Sequence, residues 1–166
     1  MKFLLLVASV CFLVRGWSGT LIGNGRWTDH DSRVNWKISD RWTGFYEGRR
    51  VLLSRRDELK NSPYSSRVYL TIRDLEGSDD LESYTRRSFS NSPFSPYSVG
   101  LLAGFKSEST KTAGDPLNPH TISRFTFQNP CRTDQVFEVS VQEWVAGSSS
   151  PAEYLSGLNC LDPIRE

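Results

Sequence analysis

Three aromatic residues lie in segments whose other residues favour exposed turns. Trp42 follows Ser-Asp-Arg, Tyr84 lies in the charged stretch DDLESYTRR, and Phe94 stands between two prolines in NSPFSPY. Ser, Asp, Asn, Pro and Gly are the residues that build surface turns. A large ring held there leaves apolar area in water unless it binds a partner. Sugar rings suit such a flat platform, although each aromatic ring could instead fold over the edge of the core as a lid.

Polar residues beside these rings could orient a bound sugar. Asp40 precedes Trp42, and Asn91 and Ser92 precede Phe94. Their carboxylate, amide and hydroxyl groups can hydrogen-bond to sugar hydroxyls and fix the orientation of a ring that aromatic side chains hold. The residues that we expect in a carbohydrate-binding site are Trp42, Tyr84, Phe94, Asp40, Asn91 and Ser92.

Sequence patterns for catalysis or metal binding are missing. His30 and His120 are far apart, and neither has the spacing of a zinc ligand set. The chain has no G-x-S-x-G motif. Acidic residues cluster from Asp74 to Glu82, where a facing pair could make a glycosidase, but such a cluster is more typical of a hydrophilic loop. We therefore predict that the protein is not an enzyme and has no cofactor and no bound metal.

Apolar and polar residues alternate with a period of two along much of the chain, which is typical of strands. Many short alternating segments, separated by Gly, Pro, Ser and Asn, predict an all-β protein: an antiparallel β-sandwich, immunoglobulin-like or jelly-roll-like, in a single domain. Phe45 to Leu53 is predicted as one strand, and the set Val99, Leu101, Ala103 and Phe105 is predicted to face inward. Further residues predicted to face inward are Val34, Trp36, Leu70, Ile72, Phe125 and Phe127.

The charge balance argues against a nucleic-acid partner. The formal net charge is +1, from 20 basic and 19 acidic residues, and no basic stripe is present. Arginine nonetheless occurs in pairs within predicted strands, at Arg49–Arg50, Arg55–Arg56 and Arg86–Arg87. Such pairs could bind sulfate or carboxylate groups, or they could be edge charges that prevent aggregation between strands.

Residues 1–18 have the layout of a secretory signal peptide. Lys2 precedes an apolar stretch from Phe3 to Val14, and Gly16 and Ser18 are small residues before the predicted cleavage point. The apolar stretch is too short to span a bilayer stably. We therefore expect residues 19–166 to be a secreted, extracellular protein with no membrane contact.

Two cysteines remain after the predicted cleavage, Cys131 and Cys160. An even pair in an oxidising compartment predicts one disulfide. The bond would tie a C-terminal extension, residues 132–166, back onto the end of a strand. Two free thiols are the alternative.

Four segments resemble the family 2 carbohydrate-binding modules, which are β-sandwiches that bind cellulose, chitin or xylan. The opening stretch of that family is similar to VNWKISDRWTGF, and its central strand and Gly turn are similar to YLTIRDLEGSDDLESY. Its third platform segment is similar to NSPFSPY with GLLAGF, and its closing strand is similar to ISRFTFQNPC. The resemblance covers residues 34–131. It implies that Trp42, Tyr84 and Phe94 form a three-ring sugar platform.

Two functions from different classes follow as hypotheses. The first is a secreted, non-catalytic protein, expected to be a monomer, whose partner is a polysaccharide or another glycan. The second is a secreted structural or host-interaction β-sandwich without this sugar binding, in which arginine pairs could hold an anionic glycan. Binding to insoluble cellulose, chitin and xylan distinguishes the two.

Overall fold

Two antiparallel β-sheets and two short helices form the part of the chain that the structure describes. The computed structural model describes residues 20–55, 66–77, 79–90, 92–107, 110–111, 119–144 and 150–161. This architecture confirms the predicted all-β antiparallel sandwich. The predicted signal peptide and Asn91 lie outside the described residues.

The strands, numbered in chain order, form one larger and one smaller sheet. In order across the larger sheet, the strands are β1 (Thr20–Leu21), β4 (Trp42–Glu47), β5 (Arg50–Arg55), β6 (Ser66–Asp74), β11 (Gln135–Glu143), β10 (Thr121–Gln128), β8 (Leu102–Ser107) and β7 (Phe94–Val99). A further short strand, β9 (Thr110–Lys111), pairs with β10. The smaller sheet has the order β12 (Leu158–Cys160), β3 (Val34–Lys37) and β2 (Arg26–Asp29). The helices are α1 (Leu81–Ser88) and α2 (Pro151–Leu155), and Gly23–Gly25 forms a 3-10 turn.

The core lies between the two sheets. On β6, Val68, Leu70 and Ile72 are buried, and each stands opposite a buried residue of β11. We call this side of the larger sheet its inward face. Trp36 reaches it from the smaller sheet, is fully buried, and donates a hydrogen bond from its indole Nε1 to the Tyr154 carbonyl oxygen at 2.7 Å. The residues confirmed as buried core positions are Val34, Trp36, Leu70, Ile72, Phe125 and Phe127.

A hairpin replaces the single strand predicted from Phe45 to Leu53. That prediction is wrong because the chain reverses after β4, and Glu47 pairs with Arg50 at the start of β5. Gly48 lies in the turn with a φ of 55°, a left-handed conformation that a residue without Cβ adopts at little steric cost.

A second hairpin changes which residues around β8 are buried. The residues Val99, Leu101, Ala103 and Phe105, predicted as one inward-facing set, do not share a face, because a turn separates β7 from β8. Leu101 is 63% exposed, and Ala103 is exposed as well. Phe105 stands opposite Thr126, whose chain neighbours belong to the core. The ring of Phe105 therefore lies on the other side of the larger sheet, which we call the outward face.

Helix α1 packs on this outward face. Thr85 is buried, and its Oγ1 is hydrogen-bonded to Oγ1 of Thr126 on β10 at 2.5 Å. Phe89, at the C-terminal end of the helix, is also buried. Threonine and phenylalanine one turn apart on a helix point to the same side, so these two residues anchor α1 to the sheet.

The ends of α1 have helix-stabilising residues. The Asp80 carboxylate accepts a hydrogen bond from the Ser83 backbone N–H at 2.7 Å, and this bond lowers the pKa of Asp80. Arg86 and Arg87 lie in the last turn, where a cation interacts favourably with the helix dipole. The prediction that this arginine pair lies on a strand is therefore wrong.

The predicted disulfide between Cys131 and Cys160 is confirmed, with Cα atoms 5.4 Å apart. Cys160 ends β12 and stands opposite Val34, so the bond fastens the smaller sheet to the turn between β10 and β11. Gly157 precedes β12, and a Cβ there would lie 1.9 Å from the Lys37 carbonyl oxygen, too close for any other residue. Neither helix in the described ranges has the length and apolar character that crossing a membrane requires.

Candidate functional site

Two recesses flank α1 on the outward face of the larger sheet. The helix groove lies where α1 faces β7 and β8 and has a volume of about 540 Å³. It is lined by Glu82, Arg86, Ser92, Pro93, Phe94, Pro96 and Phe105. The sheet cavity lies where the end of α1 faces β6, β11 and β10 and has a volume of about 230 Å³. It is lined by Tyr69, Thr71, Ser88, Phe89, Arg124, Phe125, Glu138, Val139 and Ser140.

The helix groove has an aromatic floor. The half-buried rings of Phe94 and Phe105 meet edge to face, with centroids 5.2 Å apart. The Arg86 guanidinium lies 5.6 Å from the centre of the Phe94 ring and forms an ion pair with Glu82 at 2.8 Å. Ser92 is exposed beside them. The groove thus presents apolar rings next to a guanidinium, a carboxylate and a hydroxyl group.

Beside the sheet cavity, Tyr84 belongs to a hydrogen-bond network rather than to an exposed platform. Its hydroxyl donates to Glu138 Oε1 at 2.8 Å, and Ser88 Oγ donates to the same oxygen at 3.0 Å. Arg73 Nε donates to the other carboxylate oxygen at 3.4 Å. Burial and the bond to Glu138 raise the pKa of Tyr84 to about 12. Tyr84 is only partly exposed, and its ring is not a free platform.

Replacing Tyr84 by phenylalanine should make folding less sensitive to alkaline pH. The Tyr84 pKa is 10.0 in an ordinary setting and about 12 in the folded protein, so between these values the unfolded chain loses a proton that the native protein retains. This contribution to stability is intact below pH 10 and is lost as the pH rises towards 12. Urea denaturation at both ends of this window should therefore show a smaller loss for Tyr84→Phe than for the wild type.

The wild type provides the comparison for this test. Burial also raises the pKa of Tyr97 and Tyr154, so both proteins should lose some stability in alkali, and only the difference between them reports on Tyr84. At neutral pH, losing the hydrogen bond should cost about 1 kcal/mol. Parallel pH profiles would contradict the assignment of the raised pKa to Tyr84.

Trp42 lies in the core, so the prediction that its ring is exposed is wrong. It is 7% exposed, and its ring meets that of Tyr154 edge to face at 5.6 Å. The reason is strand alternation, because Trp42 shares a face of β4 with Gly44 and Tyr46, whose partners on β5 include the buried Leu53 and Val51. Its indole Nε1 is buried without a hydrogen-bond partner among the described residues.

The residues predicted for sugar binding do not form one site. Ser92 and Phe94 come together in the helix groove. Asp40 is exposed and lines a separate recess of about 580 Å³, which also touches β1 and β4 of the larger sheet and β2 and β3 of the smaller sheet. Tyr84 binds Glu138 beside the sheet cavity, and Asn91 is not among the described residues. The prediction of a platform of three rings is therefore wrong in its geometry, because strand direction and helix formation send the rings to different places.

Five residues of the helix groove are absent from the set predicted for sugar binding: Glu82, Arg86, Pro93, Pro96 and Phe105. A signal for two of them exists in the sequence, because Glu82 and Arg86 are four residues apart and follow Asp80, a favoured helix N-cap residue. Phe105 carries no comparable signal. Its side of the sheet depends on the position of the turn before β8.

The acidic cluster from Asp74 to Glu82 has structural partners. The Asp74 carboxylate accepts hydrogen bonds from Gln135 and Arg49, which hold its pKa below the usual value. Within the described ranges, no three His, Cys, Asp or Glu side chains come together in a way that could hold a metal ion. We therefore assign no metal ligand to this cluster.

The two sheets and the flanking helix place the chain in the class of all-β sandwiches. No protein-family model matches the chain, and no curated protein matches it significantly. The fold is similar to a crystal structure from Bacteroides thetaiotaomicron VPI-5482, with a TM-score of 0.58, 13% sequence identity and coverage of 84% of this chain. The chain covers 49% of that structure's length, so it spans about half of it. This likeness supports the fold alone.

Proposed function

We propose that this protein is a secreted, non-catalytic carbohydrate-binding protein whose helix groove holds a polysaccharide chain. One observation carries the proposal: the half-buried rings of Phe94 and Phe105 line an open groove beside the Glu82–Arg86 ion pair. The disulfide supports secretion, because such bonds persist in oxidising compartments.

The aromatic floor suits the less polar face of a sugar ring. Removing apolar area from water stabilises a complex by roughly 25 cal/mol per Å². The two rings and the two prolines, Pro93 and Pro96, offer this area, and the Arg86 guanidinium lies over the Phe94 ring beside it. Stacking is electrically neutral, so the binding that it drives should depend little on salt.

The charged pair at the groove suits the hydroxyl groups of the same sugar. A carboxylate accepts hydrogen bonds from hydroxyl groups, and a guanidinium donates them to hydroxyl oxygens. Glu82 and Arg86 already hold each other at 2.8 Å, so neither needs to be desolvated as an isolated charge when a ligand binds. The groove therefore favours a neutral, hydroxyl-rich ligand such as cellulose, chitin or xylan.

Replacing Phe94 and Phe105 together by alanine should weaken polysaccharide binding by about tenfold or more, as expected when anchoring aromatic residues are truncated. The measurement is depletion of the protein from solution by insoluble cellulose, chitin and xylan. Leu101→Ala is the matched control, because it removes an apolar side chain that is 63% exposed and does not line the groove. Thermal melting should establish that the double variant is folded.

Two outcomes would contradict the proposal. Binding that persists in the folded double variant would exclude stacking in the helix groove. Binding that disappears as salt is added would indicate charge recognition. If the wild type binds none of the polysaccharides, the second hypothesis, a structural or host-interaction sandwich, is favoured.

A further inference from the structure

We propose that the sheet cavity is a second binding site, which takes a single acidic sugar, a hexuronate, with Arg124 as the anchor for its carboxylate. The sugar part of this ligand rests on the proposed function. The carboxylate part follows from the charges of the cavity. This cavity shares no lining residue with the helix groove, although its Phe89 packs edge to face against Phe94 of the groove, with centroids 6.1 Å apart. Replacing Arg124 therefore tests the cavity without changing a residue of the groove.

The strand register places the anchor in a row across the outward face. Arg124 on β10 stands opposite Ser140 on β11, and Ser140 stands opposite Tyr69 on β6. The next row contains Thr71 and Glu138. Residues directly opposite in adjacent strands share a face of the sheet. The cavity therefore has a guanidinium, hydroxyl groups and an aromatic ring within two neighbouring rows.

The two ionic groups of this cavity differ in whether neighbouring side chains balance their charge. The Glu138 carboxylate accepts hydrogen bonds from Tyr84, Ser88 and Arg73. The Arg124 side chain is exposed and forms neither an ion pair nor a side-chain hydrogen bond within the described part of the chain; only its backbone N–H donates, to Ser107 Oγ at 3.2 Å. The cavity therefore contains one cation whose charge the surrounding described residues do not balance.

A carboxylate is the group that best matches this cation. Guanidinium presents parallel N–H donors that fit both oxygens of a carboxylate, and such paired hydrogen bonds are stronger than neutral ones. Glu138 is occupied by its own donors, so it does not compete for Arg124 through a contact in the described structure. An anionic ligand therefore gives Arg124 the partner that the described residues of the protein do not supply.

The size and remaining lining of the cavity favour a single sugar ring. About 230 Å³ is smaller than the roughly 300–1,000 Å³ of pockets for drug-sized ligands. The hydroxyl groups of Thr71 and Ser140 line it and can hydrogen-bond to sugar hydroxyls, and Tyr69 adds a ring. A hexuronate combines one carboxylate with several hydroxyl groups on one ring. An inorganic anion would use the guanidinium and leave the other groups without a partner.

The test is isothermal titration calorimetry at low salt with D-glucuronate, and with D-glucose and acetate as comparisons. We expect D-glucuronate to bind the wild type more tightly than either comparison ligand. Arg124→Gln should weaken D-glucuronate binding by about tenfold or more, as for the loss of a charged hydrogen-bonding partner. Arg26→Gln is the matched control, because it removes the same charge from an exposed position on β2, outside the cavity, and should leave binding unchanged.

Several results would overturn the proposal. These are no detectable D-glucuronate binding by the wild type, equal binding by Arg124→Gln and Arg26→Gln, and acetate or D-glucose binding as tightly as D-glucuronate. The Phe94→Ala and Phe105→Ala double variant separates this site from the helix groove. If that variant loses polysaccharide but retains D-glucuronate, both proposals hold. If the wild type fails to bind polysaccharide but binds D-glucuronate through Arg124, only the helix-groove proposal fails.

Discussion

Replacing Trp36 by alanine should lower the free energy of unfolding by about 3–5 kcal/mol, the range measured for buried aromatic residues truncated in cores. Trp36 is fully buried in β3, between Trp27 on β2 and Leu158 on β12. Its loss would leave a cavity at the centre of the smaller sheet. It would also leave the Tyr154 carbonyl oxygen without the donor that lies 2.7 Å from it.

Urea denaturation followed by circular dichroism measures this effect. Trp36→Phe is the matched control, because it retains an aromatic ring and loses the indole N–H. Its cost should be clearly smaller than that of alanine, since less volume is removed. A loss of stability below about 1 kcal/mol for Trp36→Ala would contradict the position of this residue at the centre of the core.

Removing the disulfide should have the second large effect on the free energy of unfolding. Cys131 and Cys160 are 29 residues apart, and in the chain-entropy description a loop of this size stabilises the native protein by about 3–4 kcal/mol. The bond also retains β12 next to β3. When it is absent, the C-terminal segment that contributes Tyr154, Leu155 and Leu158 to the core can separate more easily.

The experiment compares the wild type with the Cys131→Ser, Cys160→Ser double variant, with and without a reductant. The wild type should lose stability when reduced, whereas the double variant should have about the stability of the reduced wild type with or without the reductant. Peptide mapping without reduction should find the two cysteine peptides linked. A wild type whose unfolding does not respond to complete reduction would exclude a stabilising role for this bond.

The alternation of apolar and polar residues makes most of the core predictable from the amino-acid sequence. Val68, Leu70 and Ile72 alternate with polar residues, and this alternation alone places them on one face of a strand. A cysteine pair is likewise sufficient to predict the disulfide, because its formation depends on the number of cysteines and on the compartment. These features depend on local or compositional properties, which can be read along the chain.

The candidate site is predictable only in part. The sequence predicts that Phe94 and Ser92 take part in binding, and both line the helix groove. It predicts a turn at Tyr84, but Asp80 caps a helix there, and the sheet below α1 supplies the packing that makes so short a helix stable. The predicted role of Trp42 fails because polar neighbours in sequence do not determine on which side of a strand a ring emerges.

Amino-acid order thus accounts for the all-β class, most of the buried stripes, the paired cysteines and one aromatic residue of the groove. Three-dimensional packing accounts for the rest: the hairpin turn that sends Phe105 outward, the helix that brings Arg86 over Phe94, and the row that joins Arg124 to Ser140. The physical reason is that periodicity fixes which residues share a face. Which face meets the core, and which distant strand lies beside it, depends on turns and on contacts between residues far apart in the chain.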